Sequence, residues 1–418
     1  MKARPSRRGL LATGLAVAAL PRPSLAQGPA RVVVVGGGFA GATAARALKG
    51  AGIAVTLVEP KERYVACPFS NLVVAGLRPM EAQVFGYDAL RRDGVAIVHE
   101  TATGIDAGAR RVTLSGSGTL DYDRLVLAPG IDLRFDAVRG YDEAAAETMP
   151  HAWQGGPQTL ALRDQIEAMP DGGTVVMTVP ANPYRCPPGP YERASLIAYR
   201  LKTTKPRSKL IVLDAKDAFS KQRLFQQAWA ALYPNLEWVG LASGGAVTSV
   251  EATSRTVVTD FESYTGAVVN VIPPQRAGRI AAVAGVADRT GWCPVDPGTF
   301  ESTLQPGIHV LGDATIGGAV PKSAFAANAE AKVASAAILS LLAGRRPEEP
   351  RLVNTCYSLV APDYGISIAG VYRPANGLLT DIDGAGGVSP LDAPSSVRAQ
   401  EARYAADWFR TITTDVFG

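Results

Sequence analysis

Three stretches predict an α/β fold built on parallel sheets. RVVVVGGGFAG, from Arg31 to Gly41, is four consecutive valines running into glycines; GTVVMTVP, from Gly173 to Pro180, is a second apolar run; GIHVLGDA, from Gly307 to Ala314, is a third, ending on an acid. Runs of β-branched residues without polar alternation read as strands buried on both faces, as in a parallel sheet covered by helices. The fold class predicted is α/β, with two Rossmann-like dinucleotide-binding domains, the second inserted in the first, and a C-terminal α+β segment at the interface.

In chain order, residues 1–26 read as a twin-arginine-type signal peptide. Arg7 and Arg8 form a basic start, Leu10 to Leu20 is an apolar stretch too short for a bilayer, and Ser24-Leu25-Ala26 is a small-residue exit. That predicts a periplasmic location and no transmembrane span in the rest. The leader carries five basic residues and no acids, so without it the formal +4 becomes about −1. No basic surplus remains to suggest nucleic acid.

The valine run then meets Gly36, Gly38 and Gly41 in G-x-G-x-x-G spacing. The first glycine permits the tight turn, the second lets backbone approach a pyrophosphate, and the third lets helix pack on strand. Glu59 closes a second strand, VTLVE, about where the acid that holds a ribose hydroxyl is expected. Beyond it come a loop carrying Cys67 and the strand-turn YDRLVLAPG ending at Gly130. The second unit opens on GTVVMTVP but continues ANPYRCPPGPYERA. Pro187, Pro188 and Pro190 have no N–H for a phosphate, so no NAD(P)H site is predicted there. Cys186 stands on that loop, and Glu192 near the start of the following helix is a candidate base.

The order and separation of the glycine loop, the Pro-Gly turn and GIHVLGDA resemble the flavoproteins with two dinucleotide-binding domains, the disulfide-oxidoreductase superfamily. The resemblance implies FAD, with Asp313 on the ribityl chain and Lys322, before an alanine-rich helix, near the flavin ring. RCPPGPYERA together with NTCYSLVAPDYGISIAGVYRP (354–374) resembles more closely the flavoprotein subunit of flavocytochrome c sulfide dehydrogenase. It implies a redox disulfide between Cys186 and Cys356, a covalent flavin link through Cys67, an aromatic at Trp408 between flavin and haem, and a c-type cytochrome partner. No C-x-x-C-H occurs in this chain, so the haem is expected on another. The expected domains are 27–140 with 280–350 for FAD, 141–279 for the second nucleotide fold, and 351–418 at the interface.

The function expected is oxidation of sulfide, a small inorganic substrate, to sulfur or polysulfide. A sulfide:quinone oxidoreductase is one alternative, which the charges spread around 397–418 disfavour; a flavoprotein reactivating a sulfur carrier by thiol exchange is another. Cys293 has no assigned role. His99, His151 and His309 have no metal-ligand neighbours at useful spacing, so no metal is predicted.

Overall fold

The computed structural model describes residues 30–418; the predicted signal peptide lies outside the described residues. The elements that carry the site are, in chain order, β1 (Arg31–Val35), α1 (Phe39–Gly50), β2 (Ala54–Val58), β3 (Ala96–Val98), β4 (Arg124–Leu127), β5 (Thr174–Val179), α2 (Gly189–Thr204), β6 (Lys209–Asp214), α3 (Gln222–Leu232), β7 (Leu236–Val239), β8 (Val268–Val271), β9 (Ile308–Val310), α4 (Ala324–Leu342), β10 (Leu352–Ala361), β11 (Tyr364–Ala375), β12 (Leu378–Asp381), β13 (Gly387–Val388) and α5 (Ser395–Phe417). Two parallel sheets result, with strand orders β9-β4-β1-β2-β3 and β7-β6-β5-β8. The first takes its edge strand β9 from beyond the whole of the second, so the second unit is inserted in the first.

The valines of β1 are the centre of the first sheet because both faces are covered: Val32, Val33 and Val34 are at most 2% exposed. Burying each contributes about 1.5–3 kcal/mol. β1 pairs with β2 from Arg31↔Ala54 to Val35↔Val58 and with β4 on its other side. Gly36 turns the chain out of β1 at φ +100°, where a Cβ would meet Ala128 O at 2.3 Å. At Gly41 a Cβ would lie 1.8 Å from Gly36 O, so α1 packs against the strand turn only because that side chain is missing.

The C-terminal segment is a meander, β10-β11-β12 with β13 also on β11, capped by α5. The buried residues of α5, Arg398, Ala402, Ala405, Phe409, Ile412, Val416 and Phe417 among them, recur at three- and four-residue spacing. Phe409 stacks on Phe69 at 4.8 Å between centroids, and Phe417 on Phe85 at 5.3 Å. The sequence reading of charge spread around this helix is corrected: Arg403, Asp407 and Arg410 lie exposed on the outer face, while Arg398 is buried and paired with Glu401 at 3.3 Å. The helix is amphipathic, and its apolar face is spent on packing. Among the described residues α4 is long and apolar enough to cross a membrane by length and composition; here it packs on α1, with Ala331, Ala334 and Ile338 fully buried.

Candidate active site

A cleft of about 510 Å³ runs between the glycine loop, the end of β4, the loop after β5 and the C-terminal segment. Gly36, Gly38, Glu59, Gly130 and Asp313 line it, and so do Cys67, Cys186, Glu192, Cys356 and Trp408. α1 starts in this wall with no side chain on its cap and no acid in its first turn, so its N–H groups face the cleft free for an anion. Glu59 Oε2 accepts from Gly37 N at 2.8 Å, which fixes the carboxylate beside the loop. Gly130, at φ +63°, has no atom within 4 Å of where a Cβ would be and leaves that wall open.

The fit to FAD rests on Asp313. Its Oδ1 is buried and has no hydrogen-bond partner, while Oδ2 lies 3.9 Å from Arg185 Nη1. Burial pushes its carboxyl above the usual range, against the pull of Arg185 and Lys322. An unpaired buried carboxylate oxygen is costly, and a hydroxyl from a ribityl chain in the cleft would satisfy it. Lys322 departs from expectation. Its ammonium donates to Asp313 O at 3.0 Å and to Thr315 O and sits 3.9 Å above the Trp292 ring, and it is not among the cleft-lining residues. A lysine just before a helix reads as aimed along the helix axis, but here neighbouring carbonyls capture it. Its backbone does serve the site, since Lys322 O accepts from Cys186 N at 2.8 Å.

Cys186 is held by that bond at φ +60°, on the loop between β5 and α2. Cys356 faces it from β10. All four cysteines are free thiols here, so the disulfide expected between these two is not formed in this structure. The two are near enough that Cys356 helps push the Cys186 thiol up, after burial and the Glu192 charge. Cys67 Sγ lies 3.9 Å from Trp153 O, where its S–H can donate. Trp408 stacks nearly parallel to Phe325 at 6.3 Å, with its Nε1 buried and unpartnered.

Glu192 sits among the cysteines with both oxygens engaged: Oε2 accepts from Asn71 Nδ2 at 2.7 Å and Oε1 from Leu359 N at 2.8 Å. Burial raises its pKa, opposed by those two donors. The amide of Asn71 cannot turn round, because Arg193 Nε, which can only donate, holds its Oδ1 at 3.0 Å. Arg193 is 1% exposed, packs 4.9 Å over the Trp153 ring and donates to His151 O and Asn270 Oδ1. Asn71 and Arg193 were missed by sequence reasoning; the adjacency of Arg193 to Glu192 was the one local sign. His151 also lines the cleft, its pKa lowered to about 4 by burial and by Arg193.

In the second sheet the corresponding acid is enclosed by side chains. Asp214 ends β6 where a nucleotide fold places its ribose-binding acid, yet it is fully buried: Lys216 Nζ lies at 2.6 Å, Tyr191 OH at 2.7 Å and Trp238 Nε1 at 3.1 Å. Phe219 stacks on Tyr191 at 3.6 Å.

Comparison with known proteins agrees with this arrangement. The family model for the sulfide dehydrogenase [flavocytochrome c] flavoprotein chain, central, matches residues 159–273; that for flavocytochrome c sulphide dehydrogenase, flavin-binding, matches 348–417; and that for pyridine nucleotide-disulphide oxidoreductase matches 30–153. The chain is 60% identical over 48 residues to the sulfide dehydrogenase [flavocytochrome c] flavoprotein chain of Chlorobaculum thiosulfatiphilum, which is 11% of this chain and all of that sequence. It is 24% identical to the mitochondrial sulfide:quinone oxidoreductase of Dictyostelium discoideum, over 68% of this chain and 65% of that one. The solved structure of sulfide:quinone oxidoreductase from Aquifex aeolicus superposes with a TM-score of 0.74 at 17% identity, covering 93% of this chain and 92% of that one. The chain is therefore a flavin-binding α/β oxidoreductase, and it belongs to the family of the flavocytochrome c sulfide dehydrogenase flavoprotein chain.

Proposed function

We propose that this chain is a periplasmic FAD-dependent sulfide dehydrogenase, which oxidises sulfide to sulfur or polysulfide through Cys186 and Cys356 and delivers the electrons to a c-type cytochrome. The observation that carries it is the convergence of Cys186, Cys356 and Glu192 in the cleft that also holds Gly38 and Asp313. FAD, when bound there, accepts electrons in pairs and returns them singly, which a one-haem acceptor requires.

The chain's own groups do the rest. Glu192, with both oxygens accepting N–H bonds, is ready to take a proton from hydrogen sulfide. Burial raises the proton affinity of the carboxyl, against the two N–H donors that favour its charged form. With the two cysteines oxidised to a disulfide, hydrosulfide bonds to one sulfur, the S–S bond breaks, and the other sulfur leaves as thiolate. Cys67 is the proposed covalent anchor of the flavin, and Trp408, stacked on Phe325 at the cleft, the proposed aromatic on the path toward haem. Against use of NAD(P)H stand the prolines of the second unit and the three partners that bury Asp214. The twin-arginine leader is the support for the periplasm.

An anaerobic titration of the purified flavoprotein with sulfide tests the reading. Sulfide should bleach the flavin, NADH should not, and cytochrome c added afterwards should restore the colour. Cys186→Ser and Cys356→Ser should each retain flavin and lose sulfide bleaching by more than about a hundredfold; turnover kept in either variant would remove the pair from the mechanism. Reoxidation by a quinone but not by cytochrome c would favour the quinone-reducing alternative. Acid precipitation should carry the flavin down with the protein, and free flavin in the supernatant would dispose of the Cys67 link.

A further inference from the structure

Asn354, Cys356 and Ser358 alternate along β10, so the three side chains leave the same face of the strand. The two flanking residues are 2% and 1% exposed. Asn354 Nδ2 donates to Cys356 Sγ at 3.3 Å. That amide is oriented by Ser323 Oγ, whose hydroxyl reaches Asn354 Oδ1 at 2.6 Å. Ser358 Oγ accepts from Lys221 Nζ at 2.8 Å, and the same ammonium donates to Cys356 O at 2.8 Å and to Ile366 O at 3.5 Å.

Lys221 is itself unusual. It precedes α3 at φ +61°, in the left-handed region, and is 7% exposed. The lysine ion pairs among the described residues belong to Lys216 and Lys332, so this buried ammonium has three oxygen acceptors and no carboxylate against it. An uncompensated buried cation is expensive, and Lys221 is placed where the chemistry proposed above generates an anion. The groups whose charge reaches it are Cys356, Glu192, Cys186 and Glu401. Glu401 is occupied by Ser367, Ser389 and Arg398, and Glu192 by Asn71 and Leu359. Burial lowers Lys221 to about 8, so it remains charged at neutral pH. Cys186 differs: no side chain donates to its sulfur among the described residues, and burial with the neighbouring Glu192 charge pushes its thiol up, against the pull of Arg185 and Lys221.

We propose that Lys221 is a positioning residue that, together with Asn354, holds Cys356 as the anionic member of the cysteine pair. The proposal rests on the sulfide-oxidising reading and gives it a direction. Hydrosulfide forms its new bond to the Cys186 sulfur, the Cys186–Cys356 bond breaks, and the electron pair of that bond goes to Cys356. The products are a Cys186 persulfide and a Cys356 thiolate, with the proton shed by hydrogen sulfide held on Glu192. The better-stabilised thiolate is the better leaving group, which is why the asymmetry decides which sulfur is attacked.

Two measurements on the full flavoprotein test it. In the reduced protein under anaerobic conditions, the rate of alkylation by iodoacetamide at each cysteine is followed against pH by peptide mass. At pH 7 Cys356 should be alkylated at least about tenfold faster than Cys186; Lys221→Met should slow Cys356 alkylation about tenfold, and Lys221→Arg should restore it to within about threefold. Coincident profiles for the two cysteines in the unaltered chain would overturn the proposal even if Lys221→Met failed to fold, and so would an unshifted profile in a folded Lys221→Met. In the oxidised protein, stoichiometric hydrosulfide followed by alkylation should leave the extra sulfur on the Cys186 peptide. Extra sulfur on Cys356 would overturn the direction proposed. Extra sulfur on neither would count against the sulfide reaction itself, and the alkylation profiles would still decide the role of Lys221.

Discussion

Glu330 is an acid in the middle of an alanine-rich helix, 4% exposed, accepting Gly312 N at 2.7 Å. Burial pushes its pKa up to about 8, with Asp313 adding to the rise and Lys322 opposing it. A carboxyl whose folded pKa lies above its unfolded value contributes stability that is fully present below the unfolded value near 4.5. That contribution is lost as pH rises through the folded value. Glu330→Gln keeps a carbonyl oxygen for Gly312 N and removes the ionisation. The variant should therefore be roughly 1–3 kcal/mol more stable than the parent at pH 8, with the difference closing near pH 5; melting temperatures measured at both pH values check this, and a variant less stable at pH 8 would contradict it. The bond from Gly312 N to the Glu330 carboxyl holds the turn that presents Asp313 to the cleft, so the acid beneath the loop serves its shape.

The site is assembled from whole elements, and α5 locks them. Phe409 is 3% exposed and meets Phe69, two residues after Cys67, while Arg78 lies 5.1 Å over its ring. Arg46 on α1 donates to Asp415 O at 2.8 Å, and Lys332 on α4 pairs with Asp415 at 2.8 Å. Phe409→Ala should cost about 3–5 kcal/mol, seen as a lower melting temperature together with faster proteolysis near Cys67; a change below about 1 kcal/mol would mean that α5 only covers the site. How much of this was legible follows from distance along the chain. The glycine loop, Glu59 and the two cysteine motifs could be read because turn, strand and helix signals lie within a few residues of one another. The bonds of Asn71 to Glu192, of Arg193 to Asn71 and of Lys221 to Cys356 could not, because each joins residues more than 100 apart. Lys322 was placed near the flavin ring because position along a sequence does not say which acceptor captures a flexible ammonium. Charges on α5 looked evenly spread because a buried Arg398–Glu401 pair and an exposed Arg410–Asp407 pair count alike in a sequence.

On the scale of the molecule, the inserted unit keeps the strand order of a nucleotide fold while its phosphate turn carries prolines and its terminal acid is buried by Tyr191, Lys216 and Trp238. Both parts were open to sequence reading in unequal degree: the prolines are visible in ANPYRCPPGPYERA, whereas the burial of Asp214 depends on Trp238, on a different strand. What remains of that unit is a wall that brings Cys186 and Glu192 to the cleft. The late arrival of β9 has a consequence in time. It pairs with β4 across roughly 180 residues, a separation that makes this contact slow to form. Until that strand and the Gly312–Asp313 turn after it have left the ribosome, the first sheet lacks its edge and the cleft lacks part of its lining. A nascent chain that stops short of them has a glycine loop and no place for a flavin, so cofactor loading belongs to the last stage of synthesis or after it.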